Sequence, residues 1–275
     1  MLSLIGKILL FLLLTFLTQI GGIVWLISLA GAGIIDKNIT GRLSRALAKL
    51  SVFLLLYLIS VFLIVPLLAR PFGRVPLSLT THHSLKPLTV WTCLLNRNYV
   101  RSDLKNVAEQ VATEMNQKFP GTVTHYLDAN FPFINKFPLP PHLSHNDGKK
   151  LDLAFCYLDS SAGNQTNDVP SPIGYGISEE PRPGEIDQPC ICSQRGYWQY
   201  GFIRKIMPQG NRINFLFDSV RTKEMVILFA ANDQIGKIFI EPHLKDRLGL
   251  AVLDKIRYHG CRAVRHDDHI HVQLK

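Results

Sequence analysis

The chain has 275 residues, 47% of them hydrophobic, which is enough for one or two domains. Its 30 Lys/Arg against 21 Asp/Glu are unevenly spread: seven of the basic residues and one acidic residue fall before residue 75, leaving 23 basic and 20 acidic residues beyond it. The soluble part is thus close to neutral, and a nucleic-acid partner, which needs a basic stripe on the folded surface, is excluded on that ground.

Two apolar stretches open the protein. Ile8 to Ile35 and Leu50 to Ala69 contain no charge, and twenty helical residues rise about 30 Å, the thickness of a bilayer's hydrocarbon core. Neither stretch shows the polar face of a helix lying on a soluble domain. The expectation is a two-helix transmembrane hairpin within residues 1–74 (spans at about 8–35 and 50–69), with the lipid bilayer as partner. The connecting segment carries Lys37, Arg42, Arg45 and Lys49, against Lys7 on one outer flank and Arg70 and Arg74 on the other. Positive charge stays cytoplasmic, so residues 75–275 are expected to face the periplasm from a multi-pass anchor in the inner membrane. A signal peptide cleaved near Ala30-Gly31-Ala32 is the alternative, but its apolar region would exceed the usual ~7–15 residues. It would also leave the C-terminal domain in the cytoplasm.

Residues 70–100 read as a linker entering a domain, with Pro71, Pro76 and Pro87 and, between them, Thr80, Thr81, His82 and His83. Leu104, Val107, Val111 and Met115 recur at helical spacing, predicting a helix from a Ser102 cap to Lys118, ended by Pro120-Gly121. Thr122 to Leu127 and Leu151 to Tyr157 read as strands. Residues 159–195, rich in Gly, Pro, Ser, Asn and Asp, read as a long insertion or loop. The aromatics that follow, Tyr197 and Trp198 among them, are assigned to the core. Further on, helices are predicted over Ser219–Ala231, from Pro242 to about Leu248 and from about Leu250 to Tyr258. Strands are predicted over Lys237–Glu241 and His269–Leu274. Helices and strands mix without βαβ regularity, so the fold class is α+β. Five cysteines, Cys93, Cys156, Cys190, Cys192 and Cys261, fit an oxidising compartment, and the odd count leaves at least one unpaired. The Cys190-x-Cys192 pair has no further soft ligands nearby, so it reads as a disulfide or plain thiol site.

Two clusters carry chemistry. Ser144-His145-Asn146-Asp147-Gly148 is followed by Asp152, and Arg265-His266-Asp267-Asp268-His269-Ile270-His271 lies near the C-terminus. His145 and Asp152 suit a turn returning into a strand, with Gly148 supplying backbone freedom. His269 and His271 stand at i and i+2, which point to one side of a strand. His266 can reach over the edge. Neutral imidazoles and one carboxylate are the ligand types of a catalytic zinc site. Asp267 or Asp268 can orient a histidine through its second nitrogen. His125, His142, His243 and His259 lack such pairing and read as surface or core residues, His142 being near enough to His145 to support it.

The pattern Ser-His-x2-Gly-x3-Asp with His-x2-His-x-His resembles the LAS metallopeptidases, which join lysostaphin-type enzymes, D-Ala-D-Ala peptidases and hedgehog-like domains. The nearest likeness is to the penicillin-insensitive murein endopeptidases. It takes in Ala231-Asn232-Asp233, Ile238-Phe239-Ile240-Glu241-Pro242 and Leu244-Lys245, and spans roughly residues 120–275. The resemblance implies a small antiparallel-sheet zinc peptidase domain. It implies His145, Asp152 and His271 as Zn2+ ligands, His269 as the unligated histidine beside the metal's water, and His266 as a second auxiliary histidine. Lys149-Lys150-Leu151, where the family often has small or apolar residues, and the 159–195 insertion are departures that bear on substrate preference. A zinc ion with three protein ligands lowers the pKa of a bound water to about 7. The function expected is a membrane-anchored zinc peptidase hydrolysing peptidoglycan peptide bonds, as a murein endopeptidase or a D,D-carboxypeptidase-like enzyme. The alternatives are an inactive hedgehog-like zinc module that binds a partner, and a protein-directed membrane peptidase.

Overall fold

The computed structural model describes residues 3–80 and 84–275. Thr81, His82 and His83 of the expected linker lie outside the described residues. The fold is α+β, as expected from the mixed periodicities.

The first apolar stretch is not one span. It forms three helices, Leu4–Thr18, Gly21–Leu29 and Ala32–Asn38. Gln19 breaks the first with a left-handed backbone, φ 67°. Gly21 and Gly22 then let the chain pack back closely, since a Cβ on Gly22 would collide with Thr15 and the Phe11 backbone. Among the described residues one helix, Arg42–Leu68, is long and apolar enough to cross a membrane. It begins well before the expected boundary and takes Arg42, Arg45 and Lys49 into its first turns. Near its end it passes through a π-helical turn at Ser60–Ile64, next to Pro66, whose missing N–H breaks the regular ladder.

These helices are docked rather than tethered. Val61, Val65 and Ala69, one turn apart on one helix face, pack with Ile20, Val24 and Tyr99. The Gln19 side-chain carbonyl accepts from the backbone N–H groups of Phe133 (2.8 Å) and Ile134 (3.4 Å). Asn96 donates to the Thr18 carbonyl and the Tyr57 hydroxyl to that of Leu94. Arg74, expected as a flanking interfacial charge, is instead buried and donates to the Phe131 carbonyl and to Asn135.

The expected linker is folded. It contributes strand β1 (Val75–Pro76), β2 (Leu85–Pro87), a short helix Val90–Leu94 and β3 (Tyr99–Val100). The helix Ser102–Lys118 has its predicted bounds, although Arg101 rather than Ser102 occupies the capping position. The remaining strands are β4 (Thr124–Tyr126), β5 (Lys150–Ala154), β6 (Tyr157–Asp159), β7 (Gln165–Thr166), β8 (Phe215–Phe217), β9 (Ile235–Phe239), β10 (Ile256–Arg257) and β11 (His269–Leu274). The predicted helix over 250–258 does not form. Ile238 N–H bonds the Lys255 carbonyl and Ile256 pairs with Ile238, so the open edge of β9 draws this segment into the sheet.

The principal sheet has the order β10-β9-β11-β5-β4-β2. Its four central strands are antiparallel, while β10 and β2 join the two edges in parallel, so the sheet is mixed rather than purely antiparallel. Alternation along β5, β9 and β11 sends Leu151, Leu153, Ile238, Ile270, Val272 and Leu274 to one face. That face is covered by Ser102–Lys118 and by the helix Ser219–Ala231, which Asp218 caps by accepting from Val220 and Arg221 N–H. The core draws on residues from Leu77 to Leu274, so the segment before residue 120 is part of the domain's interior. The opposite face carries Asp152, His269 and His271.

Candidate metal centre

Register places the three expected ligands together. His271 on β11 is paired directly with Asp152 on β5, and His269 with Ala154, so the side chains of His269, His271 and Asp152 leave the same face. His145 arrives from the loop ahead of β5. Gly148 turns that loop with φ 79° and donates to the Asn130 carbonyl oxygen of its side chain. A Cβ there would strike the Arg74 guanidinium.

His145 Nε2, Asp152 Oδ1 and His271 Nδ1 form a triangle with edges of 3.2, 2.8 and 3.0 Å. All three residues are buried, Asp152 completely. His145 Nδ1 donates to the Ala129 carbonyl at 2.7 Å. A carbonyl only accepts, so the proton sits on Nδ1 and a lone pair on Nε2 points at the Asp152 carboxylate. Two acceptors facing each other in a buried site repel unless a proton or a cation lies between them. Ligand atoms bound at roughly 2.0–2.2 Å in tetrahedral geometry stand about 3.3–3.6 Å apart, so the observed edges need widen by only a few tenths of an ångström to take an ion. The donor set therefore fits a divalent metal, and these three residues could hold it. His142, Asp152 and His269 make a second cluster of the same type around the other oxygen of Asp152.

Asp152 Oδ2 accepts from the Tyr175 hydroxyl at 2.9 Å and lies 3.4 Å from His142 Nδ1 and 3.7 Å from His269 Nε2. Burial by itself would raise the Asp152 carboxyl, but the surrounding imidazoles of His145, His269 and His142 outweigh it and hold the group well below the usual carboxylate range. His271 is pushed down to about 3, by burial first, against the opposing pull of Asp152. It is therefore neutral, and one of its two ring nitrogens carries a lone pair that can ligate. His269 behaves differently. Burial would lower it, yet Asp152 and Asp268 raise it to about 8. Its Nδ1 is 2.5 Å from Asp268 Oδ1, and its Nε2, turned to the site, is buried with no hydrogen-bond partner among the described residues. Asp268 is thus the residue that orients a histidine, whereas Asp267 is engaged by Arg265. His266 is held well below the ordinary histidine value by burial and then by the positive charge of His269.

Several residues of the site escaped the sequence reading. Tyr175 belongs to the 159–195 segment, expected as a loop. That segment is largely irregular, but it laces along the entry to β11 through Gly176 N–H to Asp268 (2.5 Å) and Glu179 N–H to the Asp267 carbonyl (2.6 Å). The available signal was the triplet Gly174-Tyr175-Gly176: both glycines have positive φ, and a Cβ on Gly174 would collide with Leu127. His142 sits in the site, bonded to Asp128 (3.2 Å). His259, read as an unpaired surface or core residue, packs against Phe239 with tilted rings 4.4 Å apart and lies 5.6 Å from the His266 ring. His243 is a core residue donating to the Glu179 carbonyl, and His125 is buried away from the site.

The donors open onto a cleft of about 330 Å³ lined by His145, His266 and His271 and walled by Trp198, Phe202 and Arg262. Trp198, assigned to the core from sequence, is 67% exposed, because the short 3-10 turn Trp198–Gly201 turns Tyr200 inward instead. A disulfide, Cys192–Cys261, ties the helix Gln188–Gln194 to the loop bearing Arg262; Cys93, Cys156 and Cys190 are free. No protein-family model matches the chain, and no curated protein matches it at a significant level.

Proposed function

We propose that this protein is a zinc peptidase of the LAS type, held to a membrane through Arg42–Leu68 with its site outside the cytoplasm, and that it hydrolyses peptide bonds of peptidoglycan. The observation that carries the reading is the buried triangle of His145 Nε2, Asp152 Oδ1 and His271 Nδ1 on the floor of an open cleft. A purely structural zinc site is closed by four protein ligands, whereas a catalytic one has three and an accessible fourth position. The disulfide supports an oxidising compartment. The two-span hairpin of the expectation reduces in this proposal to one spanning helix with three shorter helices beside it.

When bound, zinc supplies Lewis acidity and lowers the pKa of a coordinated water. The chain supplies the rest. Tyr175 and His142 hold Asp152 in one rotamer through Oδ2, leaving Oδ1 for the ion. The Ala129 carbonyl fixes the His145 tautomer that presents Nε2. His269, kept protonated by Asp152 and Asp268, offers a proton at Nε2 to an oxygen that gains negative charge. His266, neutral at the cleft wall, offers a proton acceptor.

The deciding experiment compares wild type and His269→Ala as full-length protein in detergent, loaded with zinc and supplied with purified murein. Release of cleaved cross-bridges should fall by about 10²–10³-fold while zinc affinity stays within a few-fold. Wild-type protein that binds zinc yet releases no murein fragment would favour the partner-binding module instead.

A further inference from the structure

Two of the three tryptophans, Trp91 and Trp198, are 63% and 67% exposed, and each lines a different cleft beside the metal centre. An exposed indole leaves a large rigid apolar surface in water, which marks recognition surfaces more often than solvated ones. Trp198 walls the cleft above the metal donors. Trp91 walls a second cleft of about 180 Å³, together with Ile173, Leu95 and Thr89. Pro141 and Ile203 line both, so the two clefts meet along one ridge.

The second cleft is chemically continuous with the site. Tyr175 lines it while donating to Asp152 Oδ2, and Asp128 lines it while bonded to His142. Its walls are also fixed from behind. Arg97 donates to Asp128 and to the Pro140 carbonyl (2.5 Å), and the helix carrying Trp91 is tied at the Leu94 carbonyl to Tyr57 of the long apolar helix. Arg97 and Asp128 cancel each other's charge, which leaves this cleft neutral and apolar. The other cleft is lined by Arg262 and His259.

The geometry points to a single substrate groove whose Trp198-walled arm holds the metal donors and whose Trp91-walled arm, across the ridge of Pro141 and Ile203, binds the peptide that continues beyond the bond at the metal. This inference rests on the peptidase reading above and adds to it a site on the far side of the ridge. Trp91 precedes the 120–275 stretch that carried the resemblance, so one wall of this arm is supplied by the segment ahead of that stretch.

Binding is measured to full-length, zinc-loaded His269→Ala protein in detergent, so that cleavage does not intervene. The probes are a cross-linked dimer of murein stem peptides, the dipeptide containing only the scissile linkage, and a linear L-peptide as long as the dimer. The dimer should bind about tenfold tighter than the dipeptide, and Trp91→Ala should abolish that advantage while leaving dipeptide affinity within about twofold. Trp198→Ala should weaken both. Trp91 is exposed, so its loss leaves the fold intact, and an unchanged unfolding midpoint verifies this. A Trp91→Ala protein that holds the dimer as tightly as its parent overturns the inference. A linear L-peptide gripped in a Trp91-dependent way, with the murein dimer ignored, retains the groove and overturns the murein substrate. No binding of any probe overturns both.

Discussion

Replacing Tyr175 by Phe removes one oxygen from the interior of the site and little else. That oxygen donates to Asp152 Oδ2 at 2.9 Å and accepts the Asp128 backbone N–H at 3.0 Å. Both partners are buried, Asp152 completely, so water does not replace the lost contacts. A hydrogen bond to a charged group contributes about 1.5–3 kcal/mol, and a buried donor left unpaired costs about 1–3 kcal/mol. The two effects share one oxygen and are not additive, so a destabilisation of about 2–4 kcal/mol is expected for the metal-free protein at neutral pH. Metal binding should weaken as well. His142, 3.4 Å from the same Oδ2, is then the nearest remaining polar group, and the carboxylate gains freedom to rotate Oδ1 away from His145 and His271. Loss of such a supporting contact typically reduces metal affinity about 10–100-fold. Competition against a chromophoric chelator reads the affinity, and denaturant unfolding with and without zinc reads the stability. A Tyr175→Phe protein with unchanged zinc affinity would show that Oδ2 needs no donor, and the assignment of Tyr175 as a positioning residue would fall.

Gln19→Leu tests whether the N-terminal helices support the site. It strips the acceptor from the Phe133 and Ile134 N–H groups, in the segment that leads to His145, and should cost about 1–2 kcal/mol because Phe133 is only partly buried; thermal unfolding in detergent measures it, and an unaltered midpoint would mean the docking contributes nothing. Glu241 gives a pH signature: burial first, then the neighbouring Asp267, pushes its carboxyl up to about 7. A raised carboxyl binds a proton in the folded state that the unfolded chain has already released. Stability from this group is therefore full below about pH 4.5 and lost as pH rises towards 7, by roughly 3 kcal/mol at most. Glu241→Gln should flatten the stability profile across that window, and an unchanged slope in urea titrations at pH 5 and 7 would contradict the assignment.

Periodicity carried much of the fold. The helices Ser102–Lys118 and Ser219–Ala231 and the strand His269–Leu274 keep the bounds that spacing predicts, because each buries a regular apolar stripe in the core. Where pattern reading failed, a distant partner had decided the outcome. Residues 250–258 carry a helical spacing of apolar side chains, yet the edge of β9 captures Ile256. The first apolar stretch reads as one span, yet Gln19 turns the chain to meet Phe133, 114 residues away.

The site divides in the same way. His145, Asp152, His269 and His271 were legible because ligand types and i, i+2 spacing are local properties of a chain. The register that sets His271 opposite Asp152, the donors that orient their side chains, and the burial that drives His271 down to about 3 and lets Asp152 and Asp268 raise His269 to about 8 are not. Those depend on charges and dipoles brought within a few ångströms from segments far apart in sequence. His142 was marked only by its nearness in sequence to His145 and Tyr175 only by its flanking glycines, while Trp91 has no local mark at all; packing made all three neighbours of the metal centre.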